Sequence, residues 1–202
     1  MAKITLINRT DEMVRLALFI APVLNPNLAA IAWKIVSPPP GGSTTVNIPP
    51  DFAVQARYAG DPSRPSELDT TTATVAFAET TAAFSIDSIT SEDRQATGAV
   101  IHQIFTDLVV NEVRIANRFP IGVEVSILKG GDPIYPPQVV WPGGILMEDV
   151  RGSISVAVVS QFATRGQRLV QEEISLSRTE VIDGGTLQVT GSQWTGYALM
   201  AL

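Results

Sequence analysis

Ile4-Thr5-Leu6-Ile7-Asn8-Arg9 returns, little changed, as Val113-Arg114-Ile115-Ala116-Asn117-Arg118. The spacing of 109 residues carries on into the next run, where Val14, Leu16 and Leu18 are answered by Val123, Val125 and Ile127. Self-similarity at a fixed spacing marks a duplicated structural unit and constrains architecture more firmly than local propensity does. In each copy an alternating run, a polar or proline-bearing turn and a second alternating run read as strand, turn and strand.

Later elements recur in the same order. Ile31, Trp33 and Ile35 share one face of a strand that runs into Pro38-Pro39-Pro40-Gly41-Gly42. Prolines lack the ladder donor and glycines favour turn geometry, so this is a corner. Val139-Val140-Trp141-Pro142-Gly143-Gly144 answers it 102 residues on. Phe52 to Tyr58 is answered by Ile154 to Phe162, Val75 to Phe77 by Ile174 to Leu176, and Phe84 to Ile86 by Leu187 to Val189. Asp183-Gly184-Gly185 is a tight-turn signal before the last of these.

The expected fold is therefore all-β, with two similar antiparallel β-sandwich-like halves in tandem, residues 1–90 and 111–202. The connector, 91–110, is open. Val100, Ile101, Ile104, Phe105, Leu108 and Val109 recur at helical spacing behind Ser91, Glu92 and Asp93, which suits one short connecting helix. Its β-branched content and Gly98 suit a strand equally well. The last residues, Tyr197-Ala198-Leu199-Met200-Ala201-Leu202, are apolar to the end and are expected to complete a sheet, in their own subunit or a neighbour's.

Hydrophobic residues make up 45% of the 202 and charged ones only 17%, which describes a folded chain able to bury its own core. The net charge of −6 contains no basic run, so neither nucleic acid nor acidic lipid is an expected partner. Cysteine is absent, which removes disulfides, thiolate metal sites and a cysteine nucleophile, and fits a reducing compartment. No apolar h-region with a cleavage site follows Met1, and no run approaches the roughly 20 apolar residues of a membrane span. The expectation is a cytoplasmic protein without a transmembrane segment; leaderless export is the alternative.

Ala32-Trp33-Lys34, Pro40-Gly41-Gly42 and Phe52-Ala53-Val54 together make residues 4–60 resemble the rhizosphere-expressed (RhiA-like) proteins of rhizobia and other bacteria. The chain departs from that pattern at Asn47-Ile48, where a tryptophan would be expected. The resemblance implies a small β-rich bacterial protein tied to population-density control, with no assigned reaction.

Catalytic constellations are sparse. His102 is the only histidine, and no Gly-x-Ser-x-Gly elbow presents a serine to it, so it reads as a connector residue packed between apolar neighbours. One histidine without cysteine excludes a His/Cys zinc site. Glu92-Asp93, Glu148-Asp149 and Glu172-Glu173 are sequence neighbours that point to opposite faces of a strand, unlike the facing carboxyls of a glycosidase, and read as turn and rim charges. Calcium held between loops near Asp61 or Asp183 is the remaining cation option, with no loop of EF-hand spacing to support it. Gly130-Gly131, Gly143-Gly144 and Gly184-Gly185 lack the Gly-Lys-Ser/Thr ending of a phosphate loop and are turns. No cofactor and no catalytic residue are expected.

Aromatic side chains are the remaining lead. Trp33 and Trp141 stand just before the two corners and read as core. Tyr135, in a proline-rich loop, and Trp194 with Tyr197, among small polar residues, are the candidate binding residues. The first functional reading is a non-catalytic protein that self-assembles, or binds a protein partner, through β edges, with Ala198, Leu199, Met200 and Leu202 as the assembly edge. The alternative is a carbohydrate- or membrane-binding module using Tyr135 and Trp194. An Asp/Glu hydrolase is the third.

Overall fold

The computed structural model describes residues 2–25, 28–78, 81–90, 97–150, 154–169, 179–181 and 184–202. Among them there is no helix. The strands are β1 (Ala2–Asn8), β2 (Arg15–Phe19), β3 (Lys34–Val36), β4 (Ser43–Ile48), β5 (Phe52–Tyr58), β6 (Thr70–Thr71), β7 (Val75–Phe77), β8 (Ala82–Thr90) and β9 (Thr97–Ile104) in the first repeat. The second repeat supplies β10 (Glu112–Asn117), β11 (Val123–Lys129), β12 (Asp132–Pro133), β13 (Gln138–Val140), β14 (Ile145–Asp149), β15 (Ile154–Val159), β16 (Thr179–Val181), β17 (Thr186–Ser192) and β18 (Gly196–Ala201).

The all-β class is as expected, but the repeats do not sit one after the other as separate sandwiches. Every sheet draws strands from both. One sheet runs β18-β17-β1-β4 and its counterpart β9-β8-β10-β14; a third is built on β5 against β11 and a fourth on β2 against β15. The exchange is reciprocal and in register. β1 lies parallel to β17 with Asn8 opposite Val189, and β10 lies parallel to β8 with Asn117 opposite Ile86. Ala17 faces Ala157 in one central pair, and their equivalents Ser126 and Gln55 face each other in the other. The repeats are thus related by an internal two-fold with strands traded across it.

One core follows from this exchange. Ile4, Leu6 and Leu16 of the first repeat and Val113, Ile115 and Val125 of the second belong to the same buried cluster. The connector, open between helix and strand, holds the strand β9, paired along its length with β8 from Ala83–Ile104 to Thr90–Thr97. Its β-branched residues fill an antiparallel ladder, and only Ala99 and Ile101 reach the core. Phe105 and Val109, part of the apparent helical stripe, lie beyond the strand and are exposed. Ser91, Glu92, Asp93, Ile174 to Leu176 and Asp183 lie outside the described residues. The strand that answers β7 is β16, five residues later than the sequence match suggested.

β2 reads Arg15-Leu16-Ala17-Leu18-Phe19 because it is covered on both faces. Leu16 and Leu18 enter the main core, whereas Ala17 and Phe19 pack with Ala32, Ala157 and Leu169 in a second cluster. The segment that covers them is tied down by Ala32 N–H donating to Gln167 and Leu169 N–H donating to Ala30.

The repeated asparagine is buried in both copies. Asn8 Nδ2 donates to the carbonyls of Glu12 (2.8 Å) and Pro38 (3.1 Å), and its Oδ1 accepts from Thr10 N–H (2.9 Å). Asn117 Nδ2 donates to the equivalent carbonyls of Ile121 (2.9 Å) and Val140 (2.8 Å), and its Oδ1 accepts from Phe119 N–H (2.9 Å). The side chain closes an Asx turn and pins it to the corner. Removing it takes a hydrogen bond from two carbonyls and an N–H in each repeat, although the Glu12 carbonyl keeps the Thr10 hydroxyl (2.9 Å). Asn8→Ala and Asn117→Ala should each lower the unfolding free energy by about 1–3 kcal/mol, read from urea denaturation. A melt superimposable on that of the wild type would contradict this.

Candidate functional site

The sequence candidates do not come together. Tyr135 is buried. It lies 102 residues after Trp33, the same spacing as the corners, and so occupies the place of that tryptophan in the second repeat. Trp33 is fully buried and its Nε1 donates to the Lys129 carbonyl (3.0 Å), as its core assignment requires. The Tyr135 hydroxyl has no hydrogen-bond partner. Burial, with the nearby carboxylates of Glu148 and Asp149, drives its pKa far above the ordinary tyrosine value. Tyr135 is therefore a core residue and not part of a binding surface.

Trp141 is the converse correction. Its true counterpart is Pro39, which opens the turn of the corner, because Gly144 N–H donates to the Trp141 carbonyl as Gly42 N–H does to that of Pro39. Both side chains are exposed, Trp141 to 70%. It lies against Gly122, where an added Cβ would come within 3.0 Å of the indole Cε3 and Cζ3. Pro65, Leu68, Gly122 and Val139 form with it a small apolar cleft of about 210 Å³. Val139 and Ile145, both more than half exposed, extend the apolar surface.

Trp194 is 87% exposed at the turn between β17 and β18. The turn is well held: Trp194 and Thr195 N–H both donate to Ser192 Oγ (3.2 Å each), and Gln193 N–H donates to Glu12 Oε1 (2.8 Å). Tyr197, at the start of β18, is half-buried; desolvation first, then its hydrogen bond to Glu12, raises its pKa. Trp194 and Tyr197 therefore share a hairpin anchored to the β1–β2 turn through Glu12, and Tyr135 has no part in it.

The apolar tail forms β18, paired through Leu187–Ala201 to Ser192–Gly196 with β17 of its own chain. Among the described residues β18 pairs with no other strand, so it is the edge of its sheet. Ala198, Met200 and Leu202 are exposed and Leu199 is half-buried.

The acidic pair Glu148-Asp149 is buried, contrary to its reading as a rim charge. Glu148 follows Leu146 on the core face of β14, and its carboxylate accepts from the backbone N–H groups of Val23 (2.7 Å), Leu24 (2.9 Å), Asn25 (3.1 Å) and Asp149 (2.9 Å). Such charge-assisted bonds fasten the 20–25 loop to the sheet. Glu92-Asp93 and Glu172-Glu173 lie outside the described residues. Asp61, near which calcium was the remaining cation option, accepts from the N–H and hydroxyl of Ser63 in an Asx turn, which lowers its pKa.

His102 is half-exposed on β9, not packed in a connector, with Nε2 3.4 Å from Asp87 Oδ2. Ser85 stands directly opposite it and shares its face with Asp87, so the fold does place a serine, a histidine and an aspartate together. The serine is fully buried and its hydroxyl bonds neither neighbour, so Ser85 is not presented to solvent as a nucleophile.

Nothing matches this chain among family models, curated proteins or solved structures. The resemblance over residues 4–60 is thus carried by the residues quoted for it alone.

The Tyr135 hydroxyl supplies a pH test. An unfolded tyrosine ionises near pH 10, whereas the folded protein holds the proton well above that. Its contribution to stability is complete below about pH 10 and is lost as pH rises further. Tyr135→Phe should weaken the alkaline loss of stability and, at neutral pH, change stability by no more than about 1 kcal/mol. Thermal melts of both proteins from pH 8 to 12 are the check, and identical alkaline slopes would count against it.

Proposed function

We propose that the protein works without catalysis, as a unit that assembles with further copies of itself through the β18 edge. One observation carries this reading: among the described residues the outer strand of its sheet, Gly196-Tyr197-Ala198-Leu199-Met200-Ala201, carries no charge and no proline and leaves Ala198, Met200 and Ala201 exposed. Exposed sheet edges template pairing with another chain, and proteins that remain monomeric protect them with lysine, proline or short length. Met200 and the following Leu202 are 51% and 68% exposed, so the strand presents apolar side chains to a neighbour.

Carbohydrate or membrane attachment through the loops has less to stand on. Burial of Tyr135 removes one of its two loops, and Tyr197, which shares the Trp194 hairpin, is half-buried.

Size-exclusion chromatography with light scattering tests assembly directly. The intact chain should be oligomeric, and Met200→Lys, which places a charge on the edge, should shift it towards monomer with an unchanged thermal melt. A chain that stays monomeric at high concentration would sink the proposal. So would an oligomer indifferent both to Met200→Lys and to removal of residues 198–202.

A further inference from the structure

We propose that Asp87, His102 and Ser85, on the outer face of the β8–β9 pair, form a site for one divalent transition-metal ion of the zinc class. The site lies in a different sheet from β18 and does not depend on assembly.

Strand register makes the cluster. Ser85 stands opposite His102 across the antiparallel pair, and Asp87, two residues on, shares the face of Ser85. Phe84 and Ile86, which alternate with them, are the residues that enter the core. Two of the three polar groups on the outer face are nonetheless enclosed and unanswered. Ser85 is fully buried and its Oγ has no hydrogen-bond partner. Asp87 Oδ2 is buried too and accepts no hydrogen bond, although His102 Nε2 lies only 3.4 Å away. Buried polar atoms without partners are rare enough that each needs a reason. Two on one face, beside a half-exposed imidazole, point to a shared one.

The 3.4 Å separation suggests what that reason is. Zinc holds imidazole nitrogen and carboxylate oxygen at about 2.0–2.2 Å, so two such ligands at the tetrahedral angle stand roughly 3.3–3.5 Å apart. His102 and Asp87 already have the spacing of neighbouring ligands around one ion. The Ser85 hydroxyl provides a third oxygen, and the half-exposed imidazole lets water reach the fourth position. Among the described residues no third carboxylate or imidazole joins them. Composition excludes a site of histidine and cysteine alone, but not one that combines an imidazole with a carboxylate and a hydroxyl. That donor set selects the ion, since imidazole suits zinc and its transition-row neighbours, whereas magnesium and calcium take shells of oxygen. Charge agrees: Arg114, on the same face of β10, is held by Glu112 (2.8 Å), and among the described residues Asp87 pairs with no cation but His102.

The internal repeat shows that the fold does not require these residues. Ser85 lies opposite Ala116 of β10 as Gln188 lies opposite Ile7 of β1, so β8–β9 and β17–β18 are equivalent pairs. In that frame Asp87 corresponds to Thr190, and His102, opposite Ser85, to Met200, opposite Gln188. The same pair of strands is thus built once with neither imidazole nor carboxylate. The twin also supplies the substitutions that test the site.

Titration calorimetry of the untagged chain with Zn²⁺ should show one ion bound per chain, and Mg²⁺ should show none. Co²⁺ in its place should give the intense visible absorption of a tetrahedral ion. His102→Met and Asp87→Thr, which copy the twin pair at positions that are not fully buried, should each weaken Zn²⁺ binding about tenfold or more, with folding verified by circular dichroism. Zn²⁺ should raise the melting temperature of the wild type and leave that of His102→Met unmoved. Absence of a stoichiometric Zn²⁺ ion on the wild type would overturn the proposal, the orphaned atoms then being met by water. Binding that survives His102→Met would overturn it as well, because the ion would sit elsewhere. A weak, octahedral Co²⁺ spectrum would overturn the zinc assignment.

Discussion

The hydrogen bonds of one buried asparagine per repeat hold this fold in shape. A buried amide is costly unless its donors and acceptors are all met, and Asn8 meets them with three separated pieces of backbone: its own strand end, the following turn and the corner 30 residues away. Glycine or alanine could not do this, and aspartate would lack the donor that reaches Glu12 and Pro38. The corner in turn needs its glycine, since Gly41 and Gly143 both take positive φ, 66° and 75°, so that the chain can reverse and deliver Gly42 and Gly144 to the strand. Strand end, turn and corner are therefore one unit, and it is built twice.

Doubling the unit does not double the domain. β1 ends at its asparagine beside β17, and β10 ends at its asparagine beside β8, so each repeat opens next to the closing strands of the other. Neither repeat can complete a sheet by itself, and the core residues of both must be accommodated together. This explains where the repeats stay alike and where they drift. Inward positions such as Leu6 and Ile115, or Val14 and Val123, remain apolar and buried in both. Outer faces are free to change, and they have: Ala17 and Ala157 lie under an added apolar layer, whereas their equivalents Ser126 and Gln55 do not.

The same distinction decides how much was legible in the sequence. Repeats, alternating strands and corners could be read because they depend on local chemistry, on side chains every second residue and on prolines and glycines at turns. The pairing of strands across repeats could not, since a strand's neighbour is fixed by the other end of the chain. Tyr135 and Trp141 were misplaced for a related reason. Both follow from taking Trp141 as the partner of Trp33, when the corner bonds show that it stands for Pro39 and Tyr135 for Trp33. Residue type suggested the wrong match and spacing the right one. Glu148 was unreadable for a different reason: a carboxylate on the core face signals nothing until the backbone donors of Val23, Leu24 and Asn25 are brought to it.

An internal two-fold also bears on how such a chain would join its neighbours. Had the two repeats kept identical surfaces, any contact made by one would be offered equally by the other, and a single copy would bind at both ends alike. Here the equivalent ends have become unlike: the hairpin beside the β1–β2 turn carries an exposed indole, and the β10–β11 turn carries a cleft with an indole wall. Unlike ends give a unit polarity. For polar units the number of copies is set by the rotation between one unit and the next, a closed ring where that rotation divides a full turn and an open filament where it does not.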